Sequence, residues 1–189
     1  MSVAHGNNIF LVGPMGSGKT AVGKQLARRL RMPFIDSDQE IERRTGVDIP
    51  LIFEKEGEEG FRRREAEMIE ELTASDGIVL STGGGAILRA DNREWLRTRG
   101  WVIYLETSVA DQVLRVSRSE NRPLLTGVAD VSERLQQLMS ERAPLYAEVA
   151  HLRIRTDGRR VQGVLREIVQ ALNARGDAAG PDRKRILPV

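Results

Sequence analysis

One short segment restricts this chain more than any other. Gly13-Pro14-Met15-Gly16-Ser17-Gly18-Lys19-Thr20 fits G-x-x-x-x-G-K-[ST] in full. Such a loop has meaning only between a strand and a helix, and both flanks agree. Ile9-Phe10-Leu11-Val12 is a short apolar run ending at Gly13, the pattern of a strand buried on both faces. From Lys19 to Arg31, Val22, Leu26, Ala27 and Leu30 recur at helical spacing. The glycines let successive backbone N–H groups turn inward around phosphate oxygens. The following helix adds the positive end of its dipole. ATP is therefore the expected ligand, cradled by Gly13, Gly16, Ser17, Gly18, Lys19, Thr20 and Ala21. Lys19 should reach the β- and γ-phosphates, and the Thr20 hydroxyl should be a Mg²⁺ ligand. The bland alternative is a glycine-rich turn that binds nothing; the complete pattern and correct flanks weigh against it.

The remaining chain alternates strand and helix. Strands are expected at 32–35, 77–81, 101–105 and 151–155. Helices are expected at 39–44, 49–56, 61–72, 92–99, 108–115, 131–149 (despite Pro144) and 161–173. Five strands separated by helices imply an α/β fold: a three-layer αβα arrangement with a five-stranded parallel sheet, of the P-loop NTP hydrolase/kinase type. Ligands should gather at the carboxyl ends of the strands. The 189 residues suit one domain, taken here as 1–173. Residues 117–127 are polar with Pro123 and Gly127, a surface loop. Residues 174–189 lack any period and are expected to be a disordered tail.

Composition removes several classes. Lys and Arg number 29 against 27 Asp and Glu, a formal net charge of +2, which gives no reason to expect nucleic acid as a partner. There are no cysteines, hence no disulfide framework or thiolate metal site. Met1–Asn8 lacks the layout of a signal peptide, and no apolar run reaches membrane-spanning length. A cytoplasmic protein without a membrane partner is the expectation. His5 and His151 suggest no metal site.

The phosphate loop alone does not name a reaction. No Asp ends the strand before Ser81-Thr82-Gly83, and no Asn-Lys-x-Asp segment occurs, so hydrolytic switches lose weight. Asp36-Ser37-Asp38 follows the second strand and should emerge at the same sheet edge as the phosphate loop. Asp36 is placed to bind a Mg²⁺ water, and Asp38 to orient or deprotonate an attacking hydroxyl. Helix capping explains the same residues without function. Arg62 and Glu65 lie three apart on one helix face, so Glu65 could hold Arg62. Arg115, Arg122 and Arg142 are further guanidinium groups suited to carboxylate or phosphate. Most arginines, including Arg28, Arg29, Arg63 and Arg99, read as solvated surface.

Taken in order, these pieces resemble the shikimate kinase family from about Ile9 to Asn173. Ile49-Pro50-Leu51-Ile52-Phe53, Gly57-Glu58, Phe61-Arg62 and Glu65 look like its substrate-binding region. Thr82-Gly83-Gly84-Gly85 looks like its glycine turn, and Arg122-Pro123-Leu124-Leu125 like its lid. Arg142 with Pro144-Leu145-Tyr146 looks like its late arginine motif. The resemblance implies transfer of the ATP γ-phosphate to the 3-hydroxyl of shikimate by a monomer. It implies Arg62 and Arg142 on the shikimate carboxylate, the backbone of Gly83, Gly84 and Gly85 close to the ring, and Asp38 on the hydroxyls. Phe53 and Phe61 would wall the ring. Arg122 would ride a mobile lid at about 115–127 and act with Lys19 on the moving phosphoryl group. Arg115, and more loosely Arg159, would contact the nucleotide base. Gluconate and nucleoside monophosphate kinases share the loop and sheet but need no paired arginines around a triple glycine. A ligand-binding sensor would want an attached DNA-binding segment.

Overall fold

The computed structural model describes residues 7–116, 123–125 and 127–178. Its centre is a five-stranded sheet in the order β2-β3-β1-β4-β5, all parallel. The strands are β1 (Ile9–Val12), β2 (Phe34–Asp36), β3 (Val79–Ser81), β4 (Trp101–Glu106) and β5 (Leu152–Arg155). The helices are α1 (Lys19–Leu30), α2 (Ser37–Thr45), α3 (Ile49–Thr73), α4 (Ala90–Arg99), α5 (Val109–Val116), α6 (Val131–Val149) and α7 (Val161–Ala178). The αβα architecture read from the sequence is therefore present.

Side chains alternate across a strand with period two, and β1 shows how this makes two cores. Ile9 and Leu11 face α1 and α7, where Val22, Leu26, Ile168 and Leu172 cover them. Phe10 and Val12 face the opposite layer, with Ile69, Leu72, Leu96 and Tyr146. Both faces of β1 are thus dry, which is why it reads as an unbroken apolar run. A smaller cluster of Val116, Leu135 and Leu138 joins α5 to α6, with Met15 of the phosphate loop packed against it.

Several boundaries differ from expectation. Residues 49–56 and 61–72 are joined as α3 across a kink at Gly57, whose φ of 70° suits a residue without Cβ. The last helix runs past Asn173 to Ala178, so it enters the stretch expected to be a tail. Pro144 sits within α6 as anticipated, and Ser108 Oγ accepts from the Asp111 N–H at the start of α5. Arg122 and most of the segment read as a lid fall outside the described residues.

Register sets the functional edge. Asp36 of β2 pairs with Ser81 of β3, and Ser81 pairs with Leu11 of β1. Three strand ends therefore finish level, and β1 lies between β3 and β4, where the chain changes sides of the sheet.

Gly100, just before β4, shows how tightly the layers close. A Cβ there would fall on the ring of Phe10, with Cζ at 2.8 Å and Cδ2 at 2.9 Å. The Phe10 ring has 0% exposure and no free volume to retreat into. Gly100→Ala should cost about 1–3 kcal/mol of unfolding free energy through overpacking, read as a lower urea midpoint with unchanged slope.

Candidate active site

The phosphate loop folds as its sequence demands. Gly13, Gly16 and Gly18 have φ of 146°, 76° and 92°, a region that disfavours any Cβ. At Gly13 a Cβ would also lie 2.5 Å from the Leu105 carbonyl oxygen. Lys19 Nζ donates to the carbonyls of Gly13 (2.7 Å) and Pro14 (2.8 Å), so the ammonium lies over the loop. A pocket of about 340 Å³ opens here, lined by Gly16, Gly18, Lys19, Thr20, Ala21 and Arg115 among others.

Thr20 and Asp36 meet across two strand ends: Thr20 Oγ1 donates to Asp36 Oδ2 at 2.8 Å. Asp36 also caps α2, its Oδ1 accepting from the Asp38 and Gln39 N–H groups. Capping through Oδ1 therefore leaves Oδ2 directed at the Thr20 hydroxyl. A hydroxyl and a carboxylate beside phosphate-binding amides form an oxygen donor set that fits Mg²⁺. Among the described residues no group of three or more His, Cys, Asp or Glu gathers as a metal cluster.

A second pocket of about 330 Å³ adjoins the first. Phe53, Phe61, Ile49 and Pro50 form its apolar wall, and Asp38, Arg62, Glu65 and Arg142 its charged one. The rings of Phe53 and Phe61 lie 4.9 Å apart, and the Arg62 guanidinium lies 5.3 Å from the Phe61 centroid. Arg62 Nη1 bonds Glu65 Oε2 at 2.7 Å, and Nη2 bonds Glu58 Oε1 at 2.9 Å. Glu65 is fully buried and Arg142 nearly so. Glu65 Oε1 and Arg142 Nε have no hydrogen-bond partner among the described residues. A buried guanidinium edge left open in a pocket is what an anionic ligand would satisfy.

The glycine turn fills the gap between these groups. A Cβ on Gly83 would lie 2.5 Å from Glu65 Oε1 and 2.7 Å from Asp38 Oδ1, and one on Gly85 would fall on the Arg62 guanidinium. Any larger residue would push apart the charged wall of the pocket. Met15, Thr20, Asp36, Asp38 and Gly84 line both pockets, so the two cavities meet at the residues expected to hold the ion and the reacting hydroxyl.

Two expected nucleotide contacts differ in placement. Arg115 stands at the phosphate-loop pocket, but its guanidinium is anchored: Nη1 donates to Gly16 O, and Nη2 to Asp111 Oδ2 and Thr156 O. Arg159 turns toward α7, bonding Glu167 and the Gly163 carbonyl, and does not line that pocket. Other residues at the site were given no individual role from the sequence, although Leu124 and Tyr146 fall in segments that carry the family resemblance. Ser37 Oγ accepts the Gly83 N–H at 3.0 Å. The Tyr146 hydroxyl donates to the Gly84 carbonyl. Met15, Gln39, Glu42 and Leu124 line the second pocket. Only Tyr146 carried a usable signal, four residues after Arg142 on one helix face.

A family model described as shikimate kinase matches residues 15–173. The chain belongs to the shikimate kinase family. It is 56% identical over 162 residues to a shikimate kinase of Thioalkalivibrio sulfidiphilus, covering 86% of this chain and 85% of that protein. It is 53% identical over 165 residues to a shikimate kinase of Pseudomonas syringae pv. tomato, covering 87% and 95%. Among solved structures, shikimate kinase from Acinetobacter baumannii in complex with shikimate superimposes with a TM-score of 0.87 at 50% identity, covering 92% of this chain and 96% of that one. A gluconokinase from Sinorhizobium meliloti, 19% identical with a TM-score of 0.61, shares the fold alone.

Burial pushes the Glu65 carboxyl up from its usual 4.5, against the pull of Arg62 and Arg142. A carboxyl that keeps its proton longer when folded than when unfolded loses stability as pH rises above the unfolded value. The wild type should therefore lose unfolding free energy relative to Glu65→Gln as pH climbs from 4.5 until the folded carboxyl has ionised. Urea titrations across that range measure the difference; a pH-independent gap would mean Glu65 titrates alike in both states.

Proposed function

We propose that this chain transfers the γ-phosphoryl group of ATP to the 3-hydroxyl of shikimate, giving 3-phosphoshikimate for aromatic amino-acid biosynthesis. The observation that carries the reading is the junction of two pockets. One is a phosphate loop, the other a cavity with an apolar wall and two arginines, Arg142 buried and Arg62 partly so, and Thr20, Asp36 and Asp38 stand in the shared wall. Family membership supports it.

Each residue then has a task. The loop amides from Gly13 to Ala21 bind the phosphates, and Lys19 leaves the Gly13 and Pro14 carbonyls to meet the β- and γ-oxygens. Thr20 and Asp36 would hold Mg²⁺. When bound, the ion supplies positive charge to the phosphate oxygens. Arg62 and Arg142 clamp the shikimate carboxylate, and Phe53 and Phe61 wall its ring. The Gly83–Gly85 turn lets the ring approach backbone directly. Asp38 orients the 3-hydroxyl and takes its proton as the oxygen bonds the γ-phosphorus. The bond from that phosphorus to the β-phosphate oxygen breaks, and ADP leaves. Arg122, on a lid at about 115–127, adds charge at the moving phosphoryl group and excludes water on closure. Arg115 steadies the nucleotide site from its anchors on Gly16 and Thr156, with Arg159 further along the same loop.

We also propose that the protein acts as a cytoplasmic monomer without nucleic-acid or membrane partners. The near balance of charge supports the absence of a nucleic-acid partner, and the family resemblance supports the monomer. Among the described residues no helix is long and apolar enough to cross a membrane.

The deciding assay is ADP release from ATP and Mg²⁺ with shikimate, gluconate and AMP as parallel acceptors. Release should depend on shikimate alone; release with another acceptor would discard the assignment of the arginine pocket. Asp38→Asn should leave ATP binding intact and lower turnover by about 10²–10⁴. Wild-type turnover in that variant would remove Asp38 from the chemistry.

A further inference from the structure

The glycine turn is gripped from both sides. Ser37 Oγ takes the Gly83 N–H at 3.0 Å, and the Tyr146 hydroxyl donates to the Gly84 carbonyl. Tyr146 has 0% exposure, and its ring stacks on Tyr104 with centroids 5.0 Å apart. Burial pushes its hydroxyl above the usual range, so it stays a donor wherever the protein is folded and active. Gly84 lies against the phosphate loop as well. A Cβ there would meet Met15 N at 3.5 Å, Gly13 O at 3.7 Å and Tyr146 Oη at 3.7 Å.

A trans peptide sends its C=O and its N–H to opposite sides, and the chain contains no cis peptide among its described residues. Gly84 and Gly85 line the second pocket, whereas Tyr146 does not. A Gly84 carbonyl turned onto Tyr146 therefore points away from that pocket, and the N–H of Gly85 points toward it. Glycine on both sides of this peptide gives little resistance to rotation, so the direction needs an outside hold.

We infer that Tyr146 is a positioning residue of the acceptor site, holding the Gly84–Gly85 peptide so that the Gly85 N–H is presented to the acceptor. The inference deepens the phosphotransferase reading and rests on it. Arg142 sits one helical turn before Tyr146 on α6 and its guanidinium interacts with the same hydroxyl, so a single helix face sets both the guanidinium and the peptide donor. Removing the hydroxyl leaves a buried carbonyl without its donor. Turning the peptide to find another one withdraws the N–H from the pocket. A lost hydrogen bond to a charged ligand weakens binding about ten- to a hundredfold.

The test is steady-state kinetics of Tyr146→Phe beside Tyr104→Phe. Tyr104→Phe removes the other hydroxyl of the stacked pair and does not touch the turn. Tyr146→Phe should raise the KM for shikimate about ten- to a hundredfold and move the KM for ATP by less than about twofold. Tyr104→Phe should leave both unchanged. An unchanged shikimate KM in Tyr146→Phe overturns the inference, as does an equal rise in both constants, which would mark general loosening. Wild-type protein that ignores shikimate would instead remove the underlying reading. If Tyr146→Phe does not fold, ¹⁵N-glycine labelling of the wild type still tests the premise that the Gly85 N–H meets the acceptor. The Gly85 amide resonance should move downfield and exchange more slowly when shikimate is added. A Gly85 amide that does not respond overturns the inference.

Discussion

Everything at the functional edge depends on β3 lying between β1 and β2. Parallel pairing on both sides of β3 brings Leu11, Ser81 and Asp36 into one row. The next residues along each strand then share a small volume: the phosphate loop after β1, the glycine turn after β3, and Asp38 after β2. That volume is too small for side chains at the turn, which is why Gly83 faces two carboxylates and Gly85 a guanidinium. The turn is a spacer defined by the absence of Cβ atoms.

The charged wall around the turn is a costly arrangement. Glu65 is wholly buried, and removing an acid from water costs several kcal/mol before any pairing offsets it. Arg62 returns part of that through the 2.7 Å ion pair, yet burial still dominates at the carboxyl. An apolar replacement of similar volume would often be no less stable. The arrangement fits preorganisation: Glu65 and Glu58 fix the Arg62 guanidinium at the pocket, so an anion proposed to bind there would cost little side-chain entropy. The open edge of Arg142 completes the same demand for an anion.

Legibility varied with the range of the interaction. The phosphate loop, its strand and its helix were readable because their determinants lie within a dozen neighbouring positions. The Arg62–Glu65 pair was readable because helical periodicity places i and i+3 together. The kink at Gly57 was not, since a continuous helix and two short ones share the same apolar spacing around it. Ser37 was passed over because a serine at a helix start reads as local polarity, and its partner Gly83 is far along the chain. Arg115 was read from the sequence as a contact of the nucleotide base, and its anchorage to Gly16 and Thr156 depends on β5 and α5 being brought together. Arg159 lies in the same loop as Thr156 yet pairs with Glu167 on α7.

The sequence by itself determined the alternation of strands and helices, the phosphate-binding loop and the chemical types gathered for an anionic hydroxylated acceptor. These follow from residue identity and short-range periodicity. Only the tertiary structure decided the strand order, the shared wall of the two pockets, and the grip of Ser37 and Tyr146 on the glycine turn. Those depend on which strands pair and which helix faces meet, and contacts between residues distant in sequence leave no periodic trace along the chain.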